Sequence, residues 1–291
     1  MSYNKVIKTE GTVPSTEELP IYYDLYVPGV EPGTALPVVL FLHGFKGFKD
    51  WGAFPDACDE IARDGFAVIA FNLSLNGIGK EMTEFNEPQL FRRQTLSQDL
   101  ADVGSVIDAI KNKKVISDHA ALDSDKIGII GHSRGGHTAV AAAAEYPEIQ
   151  CLVTWSSVAN YLDHWSEKVK NDWEETGTTQ IKNSRTGQIL PLDKIVYEDA
   201  VENKERLMAD NRVKELHIPS LFIAGREDES VPVTSSERLF RNCPSDDKEI
   251  RIIEQTGHTF GVSQPFEEED YPKPFAIAMD RTRAWLGDHL K

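Results

Sequence analysis

The sequence predicts an α/β fold with a mostly parallel central sheet and helices on both faces. Three observations predict it. Short unbroken apolar runs, such as residues 38–42 and 67–71, recur along the 291 residues, as expected of strands buried on both faces. Segments with apolar residues at helical spacing separate them. Glycines and prolines punctuate the boundaries. Alternation of this kind argues for layers of helix, sheet and helix, with ligands at the carboxyl ends of the strands.

Taken in order, residues 21–27 read as an early strand ended by Pro28, and residues 38–42 as a buried one. Residues 56–63 read as a helix stopped by Gly65. Residues 67–71 are the next strand. Thr95 and Gln98 fit a capping box, followed by an apolar stripe of Leu96, Leu100, Val103, Ile107 and Ile110. Residues 126–131 are a strand and 139–145 an alanine-rich helix. Residues 151–155, 220–224 and 250–253 complete the strands. Pro274 opens a final helix whose buried face is Phe275, Met279, Leu286 and Leu290. The whole chain, 1–291, reads as a single domain.

Residues 158–215 break the alternation. Leu162, Trp165, Val169 and Trp173 form one stripe at helical spacing, and the turn at 183–187 between 179–181 and 188–190 predicts a small hairpin. A long insertion in a compact domain is usually functional, so a cap over a site is expected. A helix and hairpin simply packed on the core is the plainer alternative.

Composition narrows the partners. The chain is 40% hydrophobic and 27% charged, with a net charge of -16. That field repels phosphate backbones and anionic membranes, so neither nucleic acid nor membrane is expected as a partner. Cys58, Cys151 and Cys243 are far apart and lack metal-ligand spacing. A sparse, odd number of cysteines reads as reduced thiols. Residues 1–5 lack the pattern of a signal peptide, so a cytoplasmic location is expected. Oligomeric state stays open, with a homodimer among the options.

The chemistry-bearing residues fall just after strands. Gly131-His132-Ser133-Arg134-Gly135 follows a strand and precedes a helix, the context of a nucleophile elbow. The sharp turn exposes the serine hydroxyl at a helix N-terminus, and side chains two residues before and after would clash. A phosphate-binding turn is the competing reading, but no Walker lysine or GxGxxG spacing accompanies it. A serine hydroxyl needs a base. His258, between Gly257 and Gly261 after the last strand, is the candidate among eight histidines. An acid should lie between them in sequence. Asp228 after the strand at 220–224 is the candidate, with Glu227 its rival.

Acyl transfer also needs donors for an oxyanion. The backbone N–H groups of Arg134, after the serine, and of Phe45, in the loop His43-Gly44-Phe45, are the candidates. Phe48, Trp51, Trp155, Tyr161 and Trp165 are candidate pocket walls, together with Trp173. Stacked core aromatics would explain the same residues.

These motifs in this order resemble the α/β-hydrolase superfamily, and within it the dienelactone-hydrolase-like and prolyl-oligopeptidase-like branch with its bacterial carboxylesterases and cinnamoyl esterases. The resemblance rests on His43-Gly44-Phe45, the elbow at Ser133, the Asp228 turn and His258-Thr259-Phe260-Gly261. It implies a catalytic triad of Ser133, Asp228 and His258, an acyl-enzyme route, a small-molecule ester as substrate, and no metal or cofactor. Three departures matter. Dienelactone hydrolases proper use cysteine where this chain has Ser133. Prolyl oligopeptidases carry a propeller domain for which this chain has no room. The oxyanion loop is HGF rather than HGGG. A serine peptidase or amidase is the alternative on the same machinery, and reuse of the fold for binding alone is the non-enzymatic one.

Overall fold

Eight strands form one sheet in the order β1-β2-β4-β3-β5-β6-β9-β10. They are β1 Val6–Pro14, β2 Pro20–Pro28, β3 Ala35–Leu42, β4 Ala67–Phe71, β5 Ala121–His132, β6 Ile149–Trp155, β9 Ser220–Gly225 and β10 Lys248–Ile253. β1 pairs antiparallel with β2, and β2 antiparallel with β4. The remaining pairings are parallel. The computed structural model describes residue 3, residues 5–79, residue 81 and residues 84–291. Met1, Ser2 and Asn4, part of the expectation about the N-terminus, lie outside the described residues.

The parallel strands are apolar on both faces because helices cover both. One core layer includes Leu40, Val103 and Ile129; the other includes Phe41, Ile61, Trp155 and Leu286. Neighbours along a strand alternate between the layers, which is the period-2 geometry of a strand. The helices outside the insertion are α1 Phe54–Arg63, α2 Pro88–Phe91, α3 Leu96–Lys111, α4 Arg134–Glu145, α9 Thr234–Asn242 and α10 Lys273–His289. Thr95 caps α3 by accepting from the Gln98 N–H. The box is not reciprocal: the Gln98 amide turns to Asp102 and Thr16 instead. Pro274 sits in the first turn of α10, and Phe275, Met279 and Leu286 lie on its buried face.

Between β6 and β9 the chain forms a 3-10 turn at Tyr161–His164, α5 Glu167–Thr176, the hairpin β7 Thr178–Lys182 with β8 Ile189–Asp193, then α6 Ile195–Glu202, α7 Lys204–Leu207, α8 Ala209–Arg212 and a 3-10 turn Val213–Glu215. The hairpin forms where the turn residues predict it. The expected helix through Leu162 and Trp173 is broken. Asn160 caps the 3-10 turn, and Ser166 starts a new helix by accepting from the Val169 N–H. Two local caps override the continuous stripe. Among the described residues, no helix is long and apolar enough to cross a membrane.

Candidate active site

The strand order reverses around β3: β4 lies on one side of it and β5 on the other. The carboxyl ends of β3 and β5 therefore flank a crevice, the expected ligand position in such sheets. The loop starting at His43 leaves β3, and Ser133 leaves β5, so both arrive at that crevice.

Ser133 has φ 57° and ψ -118°, a strained conformation for a residue with a Cβ, costing of order 1–3 kcal/mol. The glycines around it permit the turn. A Cβ on Gly131 would overlap the Gly135 carbonyl, and a Cβ on Gly135 would come within 2.6 Å of the Leu42 carbonyl oxygen. The Ser133 N–H donates to the Trp155 carbonyl at 2.8 Å, and its own carbonyl accepts from His137. The elbow is thus fixed from the adjacent strand and from the first turn of α4.

Of the three neighbouring acids after β9, Asp228 is buried while Glu227 and Glu229 are exposed. Asp228 Oδ1 accepts from the Ser230 and Val231 N–H groups at 2.9 and 2.8 Å. Its Oδ2 lies 2.8 Å from His258 Nδ1. Burial alone would raise the Asp228 pKa. The hydrogen bond and charge of His258, with the two backbone donors, outweigh it and hold the carboxyl below its ordinary value. An ionised carboxylate accepts only, so Nδ1 carries the proton and Nε2 presents a lone pair. Ser133 and His258 line one cavity of about 520 Å³. No hydrogen bond between Ser133 Oγ and His258 Nε2 is formed among the described residues. Such bonds are often loose without substrate.

Two further histidines support these loops, and burial keeps both neutral. His132 has its pKa lowered to about 3 by burial and by His258, and its Nε2–H donates to the His258 carbonyl at 3.1 Å. His43, lowered by burial to about 4, donates from Nδ1 to the Gly44 carbonyl and accepts the Leu73 N–H on Nε2. His43 thus ties the loop after β3 to the loop after β4.

Phe45 lines the cavity. Arg134 does not: its side chain turns away from the cavity into the core. Its Nε donates to Asp99 at 2.7 Å, Nη1 to the Tyr161 hydroxyl at 2.5 Å and Nη2 to the Gln94 carbonyl at 2.7 Å. The guanidinium also lies 5.6 Å from the Phe45 ring and 4.9 Å from the Tyr161 ring. One buried cation therefore joins the elbow, α3, the loop after β3 and the insertion. Burial pushes the Asp99 carboxyl up, against the pull of Arg134 and Gln94.

Trp51 and Trp165 line the cavity. Phe48, Trp155, Tyr161 and Trp173 do not, and these expectations are corrected. Phe48 is 1% exposed in the core beneath the Arg185 guanidinium. Trp155, the last residue of β6, projects into the far layer, edge-on to Phe41 and Phe275, and donates to Thr282. Tyr161 is buried with its hydroxyl engaged by Arg134. Trp173 is buried and donates to the Leu192 carbonyl. Sequence reasoning missed Phe54, His164, Gln264 and the hairpin residues Ile181, Asn183 and Arg185, all of which line the cavity. Lys46, in the same loop as Phe45, was also missed. A motif search has no signal for the hairpin residues, because only the fold of the insertion carries them to the elbow.

A family model for the alpha/beta hydrolase fold matches residues 37–192. The 2-hydroxy-6-oxononadienedioate/2-hydroxy-6-oxononatrienedioate hydrolase of Burkholderia vietnamiensis is 25% identical over 86% of this chain and 88% of its own length. Among solved structures, Est1E from Butyrivibrio proteoclasticus with ferulic acid bound is 16% identical, with TM-score 0.68 over 96% of this chain and 98% of that one. Acetyl xylan esterase from Paenibacillus sp. R4 is 17% identical, with TM-score 0.65 over 97% of this chain and 84% of that one. The two structures share the fold, the family match spans more than half of the sequence, and the chain belongs to the α/β hydrolase fold family.

Proposed function

We propose that the chain is a serine carboxylesterase. The single observation that carries the reading is the 2.8 Å contact of His258 Nδ1 with buried Asp228, on an imidazole that shares a cavity with Ser133. Ser133 Oγ attacks the acyl carbon while His258 Nε2 takes its proton. Asp228 holds the imidazole in that tautomer and stabilises the imidazolium. Backbone N–H groups of Phe45 and Arg134 receive the oxyanion, and the loss of one such donor typically costs about 3–4 kcal/mol. The tetrahedral intermediate collapses, His258 protonates the departing alcohol, and the acyl group stays on Ser133. Water, deprotonated by His258, then releases the acid. The steps require neither metal nor cofactor.

Residues 158–215 serve as a cap over this site. Trp165 reaches the cavity from the insertion, edge-on to Phe45 at 6.2 Å, and Trp51 and Phe54 form further apolar wall. Such walls suit an aryl or cinnamoyl group, and ferulic acid occupies the structurally similar Est1E. Hydrolysis of p-nitrophenyl acetate and butyrate tests the reading. Wild type should turn both over, and Ser133→Ala should lose that activity. Equally slow hydrolysis by the two proteins would overturn it.

A further inference from the structure

Acyl transfer needs N–H donors held at fixed angles where charge will develop. Arg134 opens α4, so its N–H has no intrahelical acceptor. Phe45 is second in a four-residue turn closed by the Gly47 N–H on the Gly44 carbonyl at 2.9 Å. That bond leaves the Phe45 N–H unused, and among the described residues nothing accepts it. Lys46, third in the turn, has φ 58°, the left-handed conformation that a type II turn demands and that suits glycine or asparagine better. With one backbone hydrogen bond within it, this strained turn depends on side chains for its orientation.

Those side chains lead to the insertion. The Phe45 ring lies 5.3 Å from Phe91, 5.6 Å from the Arg134 guanidinium and edge-on to Trp165 at 6.2 Å. Lys46 Nζ donates to the Lys182 carbonyl of β7 at 3.3 Å. The side chain of the other donor residue goes to the same place. Arg134 Nη1 donates to the Tyr161 hydroxyl, and the Tyr161 ring is edge-on to Trp165 at 5.1 Å. Tyr161 is fixed at its root. Asn160 Oδ1 accepts the Leu162 N–H at 3.0 Å and its Nδ2 donates to Asp210 at 3.2 Å, while the Ala159 N–H donates to Ser235 Oγ at 2.9 Å.

We infer that Tyr161 is a positioning residue for the oxyanion hole: through the Arg134 guanidinium and the ring contacts of Phe45 and Trp165 it fixes the direction of both backbone donors, so that the insertion is part of the catalytic frame as well as a cover over the site. The inference rests on the esterase reading. Tyr161 is 2% exposed and does not line the cavity, so its effect on turnover travels through Arg134 and not by contact with substrate. Without the hydroxyl, a buried guanidinium N–H is left unmet and the fork is free to shift against Phe45. A small displacement of a donor is costly to the charged transition state and costs the uncharged ester little.

Tyr161→Phe removes the hydroxyl and keeps the ring. Tyr146→Phe is the control, since it deletes another tyrosine hydroxyl bond, to the Leu100 carbonyl, just beyond the far end of α4. The readouts are hydrolysis of p-nitrophenyl butyrate and inhibition by an alkyl trifluoromethyl ketone. On the ketone, Ser133 Oγ bonds to the carbonyl carbon, the carbonyl electron pair moves onto its oxygen and His258 takes the serine proton. The adduct thus places an oxyanion in the hole with no leaving group. In Tyr161→Phe, kcat should fall about tenfold to a hundredfold, Ki for the ketone should rise by a similar factor, and KM should stay within about threefold of wild type. Tyr146→Phe should leave all three near wild type. With an active wild type, an unchanged kcat in Tyr161→Phe, a loss of kcat without a rise in Ki, or an equal loss in Tyr146→Phe would overturn the inference alone. A wild type that neither cleaves the ester nor binds the ketone would sink the esterase reading and this inference with it.

Discussion

His132 Nε2 donates to the backbone carbonyl of His258 at 3.1 Å, with the two rings 4.7 Å apart. The residue before the elbow serine thus holds the loop that carries the proposed base. The two loops follow different strands, and this contact sets one against the other. His132 is a positioning residue in this account. His132→Phe removes the donor, and kcat for an ester should fall about tenfold to a hundredfold, since small misplacements are costly. KM should change little, and His132→Gln, which keeps an N–H donor, should recover part of the loss. Steady-state kinetics of the two variants checks this.

Asp228→Asn tests the tautomer. An amide facing Nδ1 can present N–H where the carboxylate accepted, which favours a proton on Nε2. The lone pair then no longer faces Ser133. Turnover should drop about 10³–10⁴-fold while the protein stays folded, as circular dichroism would show. A loss below tenfold would place the acid elsewhere.

Arg134→Met leaves Asp99 buried without its cation and removes the donor to Tyr161 and Gln94. Stripping one partner from a buried pair typically costs about 3–5 kcal/mol. Urea denaturation should show a loss of that order. The double variant Asp99→Asn with Arg134→Met should be less destabilised than the two single losses summed.

The buried histidines predict an acid-sensitive fold. His137 is held neutral by burial, with its pKa lowered to about 3, and its Nε2 accepts the Ala209 N–H at 3.3 Å. The unfolded chain binds a proton at this residue near its ordinary value of 6.5, and the folded chain does not until about pH 3. Stability is therefore full above pH 6.5 and is lost as pH falls between those limits. His137→Gln retains an acceptor but cannot titrate. The slope of unfolding free energy against pH, measured between pH 6 and 4.5, should be shallower in this variant by about 1.4 kcal/mol per pH unit. Equal slopes would contradict the burial argument.

The proposed triad is legible in the sequence because each member sits in a short motif directly after a strand. Ser133 needs its glycines, and Asp228 and His258 follow apolar runs. Aromatic roles were not legible. Trp155 and Phe48 are as apolar as Trp51, and which layer a side chain enters depends on strand register and loop direction. β1 escaped notice because it is an edge strand with an exposed face, so Val6–Pro14 has no unbroken apolar run. Lys46 and Arg185 are far apart in the chain, and only the folded hairpin brings both to one cavity. The burial of Arg134 runs against its residue type, and composition alone gives no sign of Asp99 waiting for it.

In the proposed mechanism Ser133 is a nucleophile activated by His258. Intact-mass analysis after treatment with a fluorophosphonate probe tests it most directly. The expected result is one adduct per chain, mapped to Ser133, absent in Ser133→Ala and at least a hundredfold slower to form in His258→Ala. An unlabelled wild type, or equal labelling of all three proteins, would contradict it.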